Sequence, residues 1–149
     1  MEIQNFLLVS GVEQEFKMKN LPLFVLAVED DPDDRYLMEC EVQSHPGEVQ
    51  ITFVSTCREL CDFLIACSQG LQPAGYPDLI LLTAFARQFD IQGAMECLET
   101  CTGCRDIPVF VLVETEFEKE YIQSTSTRKI KDFLVKPVTV ERLMSLLPV

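Results

Sequence analysis

Residues 77–84 read Pro-Asp-Leu-Ile-Leu-Leu-Thr-Ala, PDLILLTA. Leu79, Ile80, Leu81 and Leu82 follow one another with no polar alternation, the pattern of a strand buried on both faces of a parallel sheet. Thr83 places a hydroxyl where such a strand reaches the surface. Working outward, residues 21–28 (LPLFVLAV), 49–54 (VQITFV) and 107–113 (IPVFVLV) read as strands one, two and four. Residues 78–82 are strand three, and 132–135 a short strand five. Helical patterns fill the gaps. The first opens at Pro32 and Asp33, turns Tyr36, Leu37, Cys40 and Val42 inward, and ends at SHPG, residues 44–47. Thr56 caps a second over 57–68, with Leu60, Cys61, Leu64, Ile65 and Cys67 inward. Residues 84–92 form a loop before helices over 93–101 and 117–125. Thr139 caps the last, where Val140, Leu143, Met144 and Leu147 share a face and Pro148 is the stop. Five strands alternating with five helices specify an α/β, doubly wound, five-stranded parallel sheet covered on both faces. Its site lies at the carboxyl ends of the strands, which here carry Glu29, Asp30, Thr83, Val113 and Lys136.

The chain has 149 residues, 24 acids against 12 bases and a formal net charge of −12. Such a surface repels phosphate backbones and anionic lipid, so nucleic acid and membrane surfaces are not expected partners. The basic cluster Arg128, Lys129 and Lys131 reads as a solvated turn. No apolar run approaches the ~18 residues of a membrane span, and the N-terminus has neither a positive leader nor a cleavage site. Seven cysteines, an odd number, without a leader suit a reducing cytosol, where they act as small hydrophobes. A cytoplasmic location is the expectation.

Four landmarks occur in register: VEDDPDDRYLM after strand one, PDLILLT at strand three, IPVFVLV at strand four and DFLVKP at strand five. Together they resemble the receiver domain of two-component response regulators, from residue 21 to the C-terminus. The long segment before strand three resembles single-domain receivers that partner phytochrome-type kinases. The resemblance implies a flavodoxin-like fold with strand order 2-1-3-4-5. It also implies a chemistry: an aspartate ending strand three takes phosphate from a phosphohistidine, acids after strand one hold Mg²⁺, a Ser or Thr ends strand four, and a Lys before Pro ends strand five. Carried over by position, Glu29 and Asp30 are the acid pair, with Asp30 the direct metal ligand. Lys136 is the lysine and Phe133 the switch aromatic. Thr83 occupies the phosphoacceptor position and Val113 the switch hydroxyl position.

Two of these positions depart from the pattern. Phosphoryl transfer needs a nucleophile that is anionic and in line. A threonine is neutral, and the one histidine, His45, follows the first helix. Losing the carboxylate also removes a hard oxygen ligand, so Mg²⁺ is expected to be weak or lost. Val113 cannot hydrogen-bond a phosphoryl oxygen. The loop after Thr83 has no proline and two extra residues, with Phe85 placing a backbone carbonyl toward the metal position. What remains, Glu29, Asp30 and Lys136, reads as an ion pair fixing strands one and five in one geometry.

The expectation is a receiver that has lost phosphoacceptor chemistry, is not an enzyme, needs no cofactor, and works as a protein-interaction module. Its partners would be a histidine kinase, another receiver or a second copy of itself, met through the fourth helix, fifth strand and fifth helix. One alternative is a switchable receiver phosphorylated on Asp78 or Asp90. Another is a small-molecule or redox-sensing α/β domain. Cys97-x3-Cys101-x2-Cys104 matches an iron–sulfur spacing but reads better as core and surface thiols. Cys57 and Cys61 lie one turn apart, as do Cys97 and Cys101, but metal binding by either pair needs two more ligands, which only other cysteines would supply. Ser124, Thr125, Ser126 and Thr127 read as a helix-ending turn rather than modification sites. Glu114, Glu116, Glu118 and Glu120 read as a solvated helix start, where acids complement the dipole. Residues 1–20 fall outside the resemblance, as an arm or an over-long start, and no output domain is expected after the last helix.

Overall fold

Strands β1 (Leu23–Val28), β3 (Leu79–Thr83) and β4 (Val109–Val113) are buried at every residue. That explains why their sequences show no alternation: helices cover both faces. β2 (Val49–Val54) and β5 (Ile130–Val135) have mixed burial, as edge strands do. The sheet is parallel throughout, in the order β2-β1-β3-β4-β5. The expected doubly wound fold and strand order are those observed. The computed structural model describes residues 22–84, 91–125 and 130–147. Expectations placed on residues 1–20, Phe85, Asp90, the hydroxyls of 124–127, Arg128, Lys129 and Pro148 lie outside the described residues.

On one face, Leu26, Val28, Ile80, Leu82, Val111 and Val113 meet α2 (Cys57–Ser68), α3 (Ile91–Thr100) and α4 (Glu116–Thr125). On the other, Val25, Ala27, Leu79, Leu81, Phe110 and Leu112 meet α1 (Pro32–Gln43) and α5 (Val140–Ser145). A short 3₁₀ turn, Thr102–Cys104, joins α3 to β4. Thr56 and Thr139 cap α2 and α5 as expected, each accepting a bond from the N–H three residues on. Asp31 caps α1, with Pro32 in its first turn.

The inward side of α1 differs from the sequence reading. Tyr36 and Leu37 are 66% and 62% exposed, and Cys40 is exposed. Val42 faces the core as expected, and Met38 joins it in place of the other three. The stripe follows Asp34, Arg35, Met38 and Val42 because α1 must also deliver polar groups to the end of β1. Ile65 of α2 and Met144 of α5 are likewise exposed. Strand β5 begins at Ile130 rather than 132, and a register irregularity between Val109 and Phe110 absorbs the extra length.

The thiols also need correcting. Cys101 and Cys104 form a disulfide, so this pair is not a set of separate small hydrophobes. The 3₁₀ turn brings their Cα atoms to 5.4 Å, inside the range a disulfide spans.

Asp78 opens β3 at the amino end of the sheet. Its carboxylate accepts from the Phe24 N–H at 2.8 Å, and its own N–H donates to the Phe24 carbonyl at 2.8 Å. This clamp fixes β3 against β1. Asp78→Ala leaves a part-buried N–H unpaired, with an expected loss of about 2 kcal/mol in urea denaturation.

Candidate functional site

Chain geometry at the carboxyl end of β1 determines what Glu29 can reach. Its backbone N–H donates to the Val54 carbonyl of β2 at 2.9 Å. Its carbonyl accepts from Arg35 Nε at 2.6 Å, and Arg35 Nη2 donates to Ser55 Oγ at 2.5 Å. The same guanidinium lies 5.3 Å from the Phe53 ring centroid. Arg35 therefore ties α1 to the ends of β1 and β2. The Glu29 side chain is turned inward and is 1% exposed.

Three donors converge on that carboxylate. Thr83 Oγ1 donates to Oε1 at 2.9 Å, Lys136 Nζ to the same oxygen at 3.1 Å, and the Asp31 N–H to Oε2 at 3.1 Å. Lys136 also meets Asp34 Oδ2 at 2.9 Å and Glu114 Oε2 at 3.6 Å. Its backbone N–H bonds the Val113 carbonyl at 2.9 Å, and a cis bond leads to Pro137. The buried Val113 side chain adds no polar group. Asp30 is half-buried beside Glu29, and half-buried Phe133 packs against the α2–α3–α4 face of the core. Glu29, Thr83 and Lys136 thus form one network across β1, β3 and β5.

Of the residues in the anticipated ion pair, Glu29 and Lys136 meet at 3.1 Å. Glu29 supplies the buried charge, while Asp34 and Glu114 supply further acids to Lys136. Asp34, Arg35 and Glu114 were missed in the sequence. The signal for Asp34 was available, since it lies in the first turn of a helix whose start faces the strand ends.

Burial alone would lower the Lys136 ammonium, but hydrogen bonds and attraction from Asp34 and Glu29 outweigh it and leave the group above its ordinary 10.5. A cation raised in the folded state adds stability that is fully present below that ordinary value and lost as pH climbs through the higher folded value. The stability gap between the natural chain and a Lys136→Met variant is therefore expected to stay flat from neutrality to about pH 10, then close. Urea midpoints measured across the alkaline range check this.

The residues do not fit a magnesium site. Both Glu29 oxygens accept hydrogen bonds, one of them from an ammonium, and Thr83 supplies a neutral donor in place of an anionic ligand. Among the described residues, no group of three or more His, Cys, Asp or Glu side chains could hold a metal ion.

No family model and no curated protein matches the sequence. Solved structures do. A two-component response regulator from Legionella pneumophila is 22% identical, with a TM-score of 0.64, covering 83% of this chain and 94% of its own. A response regulator in red-light signalling of R. palustris is 20% identical at a TM-score of 0.62, covering 85% and 89%. The receiver domain of a sensor histidine kinase from Pseudomonas aeruginosa, with magnesium in its active-site cleft, is 18% identical at 0.64, covering 84% and 93%. The fold is that of a response regulator receiver domain. On the receiver fold, Thr83 ends strand three, Val113 ends strand four and Lys136 directly follows strand five. Asp78 lies at the opposite end of the receiver sheet, engaged with Phe24.

Proposed function

We propose that this chain is a two-component receiver module that takes up no phosphoryl group and acts by binding a signalling protein. The observation that supports this is the Thr83 hydroxyl, which sits at the end of β3 and donates to a Glu29 oxygen already bonded to Lys136. A neutral alcohol tied down in this way offers no anionic nucleophile, and the oxygen beside it is occupied rather than ready to take its proton. In this reading magnesium is not held, the chain is not an enzyme, and the Glu29–Lys136–Asp34 cluster sets one fixed conformation. The setting is the cytoplasm; no helix among the described residues is long and apolar enough to cross a membrane.

The binding face is formed by α4, β5 and α5. Phe117 and Tyr121, one turn apart on α4, are 78% and 53% exposed, with Val135 and Met144 also outward. Exposed aromatic and aliphatic side chains of this kind favour a protein partner. A histidine kinase of the phytochrome type, another receiver or a second copy of this chain is the partner class.

The test incubates the full chain with Mg²⁺ and acetyl phosphate or beryllium fluoride, and separately with an autophosphorylated histidine kinase. The expected result is no hydroxylamine-sensitive phosphate and no movement of the amide signals around Thr83. Recovery of an acyl phosphate on any aspartate would sink the proposal.

A further inference from the structure

We propose that Cys101 and Cys104 form a reversible dithiol–disulfide couple, a redox-modification site at the end of the sheet opposite Thr83, whose reaction partners are a low-molecular-weight thiol and its disulfide. The two residues flank Thr102-Gly103 in the turn between α3 and β4 and are joined as a disulfide. The turn does not depend on that bond for its shape. The Cys104 N–H donates to the Cys101 carbonyl at 3.0 Å, and the Ile107 N–H to the Cys104 carbonyl at 3.1 Å. With the backbone held this way, the sulfurs stay neighbours after reduction and the bond can close again.

Burial sets the direction of attack. Cys104 is wholly buried in the core, whereas Cys101 is half-buried. An incoming thiolate therefore meets Cys101 Sγ. The bond to Cys104 breaks, Cys104 leaves as a thiolate and takes up a proton, and Cys101 carries a mixed disulfide. A second small thiolate attacks the small-molecule sulfur of that mixed disulfide, releasing Cys101 as a thiolate that is then protonated. Overall, the protein disulfide and two small thiols give two protein thiols and one small disulfide, with two electrons and two protons gained by the protein. Oxidation by the small disulfide runs the same steps backward.

The neighbouring Cys61 does not join the exchange. Cys61 is pushed up to about 11, first by burial and then by its hydrogen bond to Cys97. A thiol held protonated is a poor nucleophile. Cys101 itself is half-buried just past the carboxyl end of α3, which limits access to it. The pair is thus suited to slow equilibration with its surroundings and not to catalysis of disulfide exchange.

Tyr76 makes the state observable. A Cβ on Gly103 would run into the Tyr76 hydroxyl and ring, so the phenol lies directly on the turn between the two cysteines. The chain has no tryptophan, and the other tyrosines, Tyr36 and Tyr121, are exposed. Disulfides quench nearby tyrosine emission, so opening the bond should brighten Tyr76.

The experiment equilibrates the full chain in graded ratios of reduced to oxidised glutathione, quenches with acid, unfolds, alkylates and maps the labelled peptides. Cys101 and Cys104 are expected to gain label together in one step, while Cys57, Cys61 and Cys97 are labelled equally at every ratio. Tyrosine emission should rise with the same midpoint, and Tyr76→Phe should remove that rise while leaving the labelling step. A Cys101→Ser/Cys104→Ser variant, shown folded by circular dichroism, should lack both. A pair that stays closed at the most reducing ratio, stays open at the most oxidising one, or bridges to Cys97 instead overturns the proposal. None of these outcomes bears on phosphorylation at the far end of the sheet.

Discussion

Lys136→Met is expected to cost about 3 kcal/mol, more than most surface changes, because it leaves Glu29 as a buried carboxylate without its cation. Thr83 and the Asp31 N–H still donate to Glu29, but neither carries charge. Asp34 and Glu114 then face the same space with no ammonium between them and Glu29. The loss therefore combines a lost pair with uncompensated repulsion. Adding Glu29→Gln to the variant should recover most of it, since the network as a whole gains little once desolvation is counted. Urea denaturation of both single variants and the double variant decides the matter. Equal stability of natural chain and Lys136→Met would mean that the cluster fixes nothing.

Thr83→Asp is the second large effect, and its sign depends on the solution. Without divalent ions, the variant sets a second carboxylate against the buried Glu29, where like charges repel, and about 2 kcal/mol should be lost. With Mg²⁺, the two carboxylates become a ligand set together with the half-buried Asp30. Binding to the folded state alone adds about 2.7 kcal/mol at a hundredfold excess over the dissociation constant. The melting temperature of Thr83→Asp should therefore climb with Mg²⁺ while that of the natural chain stays level. Thr83→Val, which merely removes a donor, should lose about 1 kcal/mol and ignore the ion. A natural chain stabilised by Mg²⁺ at the same concentrations would contradict the donor geometry described above.

The sheet was legible because β1, β3 and β4 are buried on both sides, and solvent exposure of either face would have forced polar residues into LFVLAV, LILLT and VFVLV. Their order came from resemblance, since spacing alone does not say which strand lies beside which. At the site, Thr83, Glu29, Val113 and Lys136 were readable because a strand's end fixes where its side chain goes. Asp34 carried a signal in its first-turn position, whereas Arg35 carried none, because its role depends on the rotation of α1. The apolar residues Tyr36 and Leu37 pointed to the wrong face: an amphipathic pattern that must serve a core and a polar site at once has no clean period. The Cys101–Cys104 bond escaped notice because three-residue spacing fits a helix, a metal loop or a bridged turn equally well, and the choice rests on where α3 stops.

The edge strand β5 has a consequence for assembly. Its outward residues Lys131 and Asp132 are charged and exposed, and Pro137 follows within two residues of its end. Hydrated ions and an imino acid discourage a foreign ribbon from zipping onto the open rim. Growth of the sheet through this edge is thereby held off, and whatever docks there must be recognised by shape and side-chain chemistry, one molecule at a time.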